Sequence, residues 1–266
     1  MIRRLSLALV AALALPFAAK AQDVKLTYAP QSSKFVLSSK TKVAQEMMGQ
    51  KQEGESTSEQ KYSLTATAKG TGQLDYTLAL DTMSATSSMG PAPDISKMIG
   101  IKFAGVIGIN GKYVSGDVTV PVGGDIKSPQ AAAMKTFLPM LPPSVKVGGM
   151  WSDTVIATVA QANGAELKNT TVYAYTLAGD TAVDGAKAWK IAVTSATTIT
   201  GKGNMQGQDF SIDGTSKGNG MALISKEGVL LGREGSEESA LTVTVDAMGM
   251  VIPITQSSTI KLARQK

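Results

Sequence analysis

Apolar and polar residues alternate with a period of two along most of this chain, and no other feature restricts the fold as strongly. In 72–83, Leu74, Tyr76, Leu78 and Leu80 alternate with Asp75, Thr77, Ala79 and Asp81. In 60–69, Tyr62, Leu64, Ala66 and Ala68 alternate with Lys61, Ser63, Thr65, Thr67 and Lys69. In 34–47, Phe35, Leu37, Thr41, Val43 and Met47 face away from Lys34, Ser38, Lys40, Lys42 and Glu46. Successive side chains of a strand point to opposite faces, so each run reads as a strand with one buried and one wet face, the pattern of antiparallel sheets.

Turn chemistry joins these runs into hairpins. Asn110-Gly111, Asn163-Gly164 and Asp184-Gly185 each separate two alternating runs, and such pairs suit tight hairpins because both central positions need positive φ. Lys226-Glu227-Gly228 and Ala247-Met248-Gly249 mark two further turns. The count comes to roughly ten to twelve strands. One stretch departs from the rhythm. Ser128-Pro129 followed by 130–138 offers an N-cap, a first-turn proline and good helix formers, and Pro139, Pro142 and Pro143 stop it. The segment 84–100, with Gly90-Pro91-Ala92-Pro93, reads as a loop with one helical turn capped by Asp94. The expected fold is all-β: an antiparallel, strongly curved sheet or open barrel with one short capping helix at about 128–139.

The first 21 residues have the three parts of a secretory signal peptide: Arg3 and Arg4, the apolar stretch Leu5 to Phe17, and Ala19-Lys20-Ala21 at the cleavage position. Cleavage after Ala21 leaves 22–266 as a single β-rich domain, with two similar halves meeting near 128–150 as the variant plan. Removing Arg3, Arg4 and Lys20 from the 26 basic residues leaves 23 against 21 acidic ones, a net +2. Only Arg233 and Arg264 remain as arginines and aromatics make up 5%, so no nucleic-acid footprint is expected. No later segment is long and apolar enough for a membrane helix. The expected address is periplasmic or secreted, in a bacterial envelope.

Histidine and cysteine are both absent from the 266 residues. That excludes imidazole bases, thiolate nucleophiles, disulfides and their metal sites, and no cofactor or metal is expected. Ser-x-x-Lys occurs at Ser39–Lys42, Ser58–Lys61 and Ser258–Lys261, but each lies in an alternating run, where i and i+3 point to opposite faces. Asp75 and Asp81 share a strand face with Thr77 and Ala79, a solvated surface, and Glu234, Glu237 and Glu238 read as part of a Gly/Ser turn. Asp209, Ser211, Asp213 and Gly214 match the start of a calcium loop, yet Gly220 stands where a bidentate Glu is needed. Gly201-Lys202-Gly203 reads as a turn. Met83, Met134, Met140 and Met221 read as core fillers, and Met47, Met48, Met205, Met248 and Met250 fall at turns. The expectation is a protein that is not an enzyme.

Two stretches resemble a known family. Pro143-Ser144-Val145-Lys146-Val147-Gly148-Gly149-Met150-Trp151-Ser152-Asp153 is similar to the Pro-x-x-x-Val-x-x-Gly-x-x-Trp-x-Asp segment of an uncharacterised family of exported bacterial β-rich proteins. Gly218-Asn219-Gly220-Met221, continuing through Ser225 to Leu231, resembles that family's Gly-x-Gly, strand, Gly-Leu-Leu stretch. The strand plan looks like the curved sheets of lipoprotein-carrier (LolA/LolB-like) half-barrels. No functional residue carries over from either resemblance; the long half-apolar strands, with a Met/Phe/Leu-bearing helix beside them, lead to the expected function: non-catalytic binding of an apolar or lipidic ligand on the concave face. Met134, Phe137, Leu138, Leu74, Tyr76 and Leu78 are the expected ligand contacts. A structural or adhesive envelope module acting through protein–protein contacts is the alternative.

Overall fold

The computed structural model describes residues 23–47, 49–88, 90, 94–123, 127–160, 165–205 and 207–265. The expected leader, its cleavage point, Met48 and the Asn163-Gly164 turn lie outside them. Eleven strands form one antiparallel sheet in the order β5-β4-β3-β2-β1-β11-β10-β9-β8-β7-β6. They are β1 Gln31–Met47, β2 Gln50–Ala68, β3 Gln73–Ser87, β4 Lys102–Gly108, β5 Tyr113–Thr119, β6 Met150–Ala160, β7 Glu166–Val183, β8 Ala186–Met205, β9 Gln208–Ser225, β10 Leu230–Val245 and β11 Met250–Arg264. The sheet does not close, because β5 and β6 are its edges. The fold is therefore the all-β, open, curved sheet that the alternation predicts.

The helix α1, Pro129–Met134, lies in the connection that runs from one edge strand to the other, and it packs on β4 and β6. Ser128 is its N-cap and accepts a hydrogen bond from the Ala131 N–H, with proline in the first turn. Capping and proline place the start as the sequence predicts. The helix is only six residues long and not the expected eleven or so. Phe137 and Leu138, at 3% and 6% exposure, instead leave it to enter the core.

Register fixes which residues share a face. Phe35, Tyr62 and Leu80 pair across β1, β2 and β3, and Leu37, Leu262, Arg233, Ala222, Ile191 and Leu177 form one row from β1 through β11 to β7. This core face packs under α1 and the Pro139–Pro143 segment, with Leu26 and Tyr28 from the N-terminal end. Phe35, Phe103, Leu78, Leu80, Leu177 and Ile191 are fully buried there. Each such side chain contributes about 1.5–3 kcal/mol on burial.

Several local readings need correction. Asp184-Gly185 has positive φ at both positions, 50° and 83°, but at Asn110-Gly111 only the glycine does. The Asn110 carboxamide there accepts from the Lys112 N–H, which closes the turn without a left-handed Asn. β3 continues to Ser87, into the expected loop. Gly201-Lys202-Gly203 and Glu234 to Glu238 are strand, not turn, because both lie between two paired neighbours. Met83 and Met134 pack in the core as expected. Met221 shares its row with Lys261, Glu234 and Ala192 on the opposite face.

Candidate functional site

The six residues expected to meet a ligand do come together, but as a filled core. Leu74, Tyr76 and Leu78 on β3 and Met134, Phe137 and Leu138 from the cap are all between 0% and 6% exposed. Phe137 packs edge-on against Phe35 and tilted against Tyr62, with ring centroids 5.6 and 5.4 Å apart. A ligand would reach these side chains only by displacing the cap.

The core face does not end where the cap does. Beyond the covered rows, small polar side chains form a belt across the sheet. Ser39 and Ser58 share a hydrogen bond at 2.8 Å, Thr41 and Ser258 at 2.9 Å, and Thr171 and Thr197 at 2.9 Å. Ser216 donates to the Glu237 carboxylate. The Ser-x-x-Lys serines thus bond across strands on one face while Lys42, Lys61 and Lys261 are exposed on the other. Past the belt the face turns apolar again, with Ile254 beside Leu241, and Ile252 beside Val243 and Ile212. Phe210, Ile212, Val245 and Ala165 form a second small cluster there. Among the described helices and strands, β1, β10 and β11 meet only their sheet neighbours extensively.

At the boundary between cap and belt stands Arg233. Its row neighbours Leu262 and Ala222 are 2% and 1% exposed. The guanidinium Nη1 donates one long bond, 3.4 Å, to the Phe137 carbonyl, and its carbon lies 5.5 Å from the Phe137 ring centroid. Nε is buried without a partner, and no carboxylate lies within 4.0 Å among the described residues. Tyrosines surround it. Burial pushes the Tyr62 phenol up to about 12, with the Arg233 charge opposing. Burial likewise raises Tyr28, Tyr76, Tyr173 and Tyr175, again against Arg233. The Tyr62 hydroxyl donates to Gln60 and that of Tyr28 to the Pro139 carbonyl, whereas the Tyr76 hydroxyl has no partner among the described residues.

The row next to Arg233 runs Ile260, Gly235, Gly220, Val193, Tyr175 and Trp151. Two glycines side by side leave a stretch of bare backbone about 10 Å wide, at about 4.8 Å per strand. Glycine is required by the approach of β9 to β10: a Cβ on Gly220 would lie 2.2 Å from the Glu234 carbonyl oxygen. Trp151 stacks on Tyr175 at 5.4 Å and donates its indole N–H to the Met140 carbonyl at 2.8 Å. It fixes β6 after the Gly148-Gly149 turn, the anchoring role its sequence context suggests.

Two depressions lie elsewhere. One of about 830 Å³ crosses β2, β1, β11, β10 and β9, and its walls are mainly the side chains facing away from the core, among them Lys42, Glu53, Glu55, Lys217 and Glu238. Its mixed charges are solvent-exposed and do not converge on one point. The other, of about 470 Å³, has Lys226 over the Trp189 ring and paired with Asp180. Among the described residues no group of three or more acidic side chains is placed to hold a metal. Asp75 pairs with Lys69 at 2.9 Å and Asp81 accepts from Ser63 at 2.6 Å, both on the exposed face. The Asp209–Gly214 run is extended strand.

The class this defines is an all-β protein built on one open, curved antiparallel sheet, in which no described helix is long and apolar enough to cross a membrane. No family model matches the chain, and no curated protein matches it. Among solved structures it is similar to a DUF1329 family protein from Desulfovibrio piger ATCC 29098. Identity is 12% over 87% of this chain and 84% of that one, with a TM-score of 0.23. A superposition this poor carries no property of that protein across.

Proposed function

We propose that this is an exported, non-catalytic binding protein that takes an apolar or lipidic ligand on the core face of its sheet. The contact region is the uncovered stretch beside Arg233, Gly235 and Gly220, and not the six packed side chains under the cap. One observation carries this reading: the face that forms the core continues past the cap with half-buried apolar side chains, and beyond the cap no other described helix or strand packs extensively on β10 and β11. Apolar surface left uncovered on a scaffold of this size marks a contact site for a ligand or partner. The periplasmic or secreted address belongs to the same proposal and rests on the leader-like 1–21.

Native mass spectrometry of the chain, purified from cells with its envelope intact, tests the reading. A lipid-sized adduct that detergent exchange removes is the expected result. A single apo mass, with no saturable uptake of a pyrene-labelled fatty acid, would overturn it.

A further inference from the structure

We infer that Arg233 receives the anionic headgroup, a carboxylate or phosphate, of a single-chain amphiphile whose chain lies over Gly220 and Gly235. This rests on the binding reading above and names the chemistry of its ligand. A guanidinium carries five N–H donors in a planar fork that matches two oxygens of an oxyanion. Arg233 uses one of them, in a long bond to a carbonyl, and leaves the buried Nε unbonded. Flanked by Leu262 and Ala222, that charge is partly desolvated with no ion pair among the described residues, an arrangement that costs free energy until an anion arrives. The nearest acidic side chain along its own strand face is Glu237, which accepts from Ser216 on the far side of the Gly235 row. Asp153 lies in the same row as Glu237, beyond Tyr173, and accepts from the Thr154 N–H.

The floor suits a chain. Gly235 and Gly220 present only backbone between Ile260 and the half-buried Val193, while Tyr175, packed in the core, and Trp151, bonded to the Met140 carbonyl, end the open row toward the edge strand. Ile260 is 39% exposed, so the row is open to solvent at the β11 side.

A purely structural role has different consequences. Arg233 also ties the segment after α1 to the sheet through the Phe137 carbonyl, so its loss would lower stability whether or not it meets a ligand. The experiment therefore compares two probes on the full chain: a pyrene-labelled 16-carbon fatty acid and its methyl ester, by fluorescence titration. The acid is expected to bind about tenfold or more tighter than the ester, the range of a charge-assisted contact. Arg233→Gln should remove most of that difference by weakening binding of the acid, while Arg233→Lys should keep the acid preference in part, since it retains the charge without the fork. Displacement of the acid by laurate or by dodecyl phosphate tells which oxyanion is preferred, and either supports the assignment. Equal displacement by dodecyltrimethylammonium overturns it. Equal affinity for acid and ester in the parent chain, or loss of both in a folded Arg233→Gln, overturns the Arg233 role alone. Binding of neither probe removes the binding reading as well.

Discussion

Tyr62 illustrates how single residues here are held between burial and a nearby charge. Its ring lies against Phe137 and its hydroxyl donates to Gln60, so ionising it would place an anion in the core. Burial raises its pKa from the ordinary 10.0 to about 12, and the Arg233 charge offsets only part of that. The linkage has a definite sign: an unfolded chain loses this proton near pH 10, whereas the folded chain keeps it to about 12. The protection is complete below pH 10 and is lost as pH rises from there to about 12. The buried Tyr28 and Tyr76 move the same way. Alkaline titration followed by tyrosinate absorbance is expected to show the buried tyrosines ionising together with unfolding. Ordinary titration of Tyr28, Tyr62 and Tyr76 near pH 10 in a folded chain would contradict this packing.

Arg233 also shows where sequence reading stops. Counting by twos from the buried Leu230 places residue 233 on the wet face. A bulge between Leu230 and Gly232 shifts the parity, and Arg233 falls in the row of Leu262 and Ala222. Bulges of one residue leave little trace in a sequence. The only available signal was that one of two arginines outside the leader-like segment follows Gly232.

Among the elements, the strands with strict alternation were legible: all but the last residue of 60–69 lies in β2, all but the first of 72–83 in β3, and 34–47 lies within β1. Where glycine or clustered charge interrupts alternation, local chemistry misleads. Gly201 and Gly203 read as a turn, yet they sit in β8, where a Cβ would lie 2.4 Å from the Leu167 side chain and 2.6 Å from the Phe210 ring. They are seats for neighbouring side chains, and pairing on both sides overrides the turn propensity. Glu234 to Glu238 are held in β10 in the same way. The helix was legible at its start, which depends on a local cap, and not at its end, which depends on where Phe137 finds its pocket. Ser128→Ala removes the hydroxyl that accepts from the Ala131 N–H and is expected to cost about 1 kcal/mol. Chemical denaturation should show a lower midpoint with an unchanged slope. An unchanged midpoint would mean that the cap is held by Met134 and Phe137 alone.

At the scale of the whole molecule, strands of up to 20 residues are longer than one capped core can cover. The chain meets this by alternating bands on a single face: a packed apolar end, a belt of cross-strand hydroxyl pairs, and a second apolar stretch. Alternation along a strand reveals which residues share a face but not what lies above that face. For that reason the six expected contacts fall on the core face at its covered end, and the open end was not distinguished from it.

Backbone amide chemical shifts of the isotopically labelled chain, recorded while laurate is added, test the central claim most directly. Binding on the uncovered core face predicts saturable shifts centred on Gly220, Gly235, Ile260 and Val193, with Leu74, Tyr76 and Leu78 unmoved. Saturable shifts centred on those three strand residues and Met134, or no shifts at any concentration below micelle formation, would contradict it.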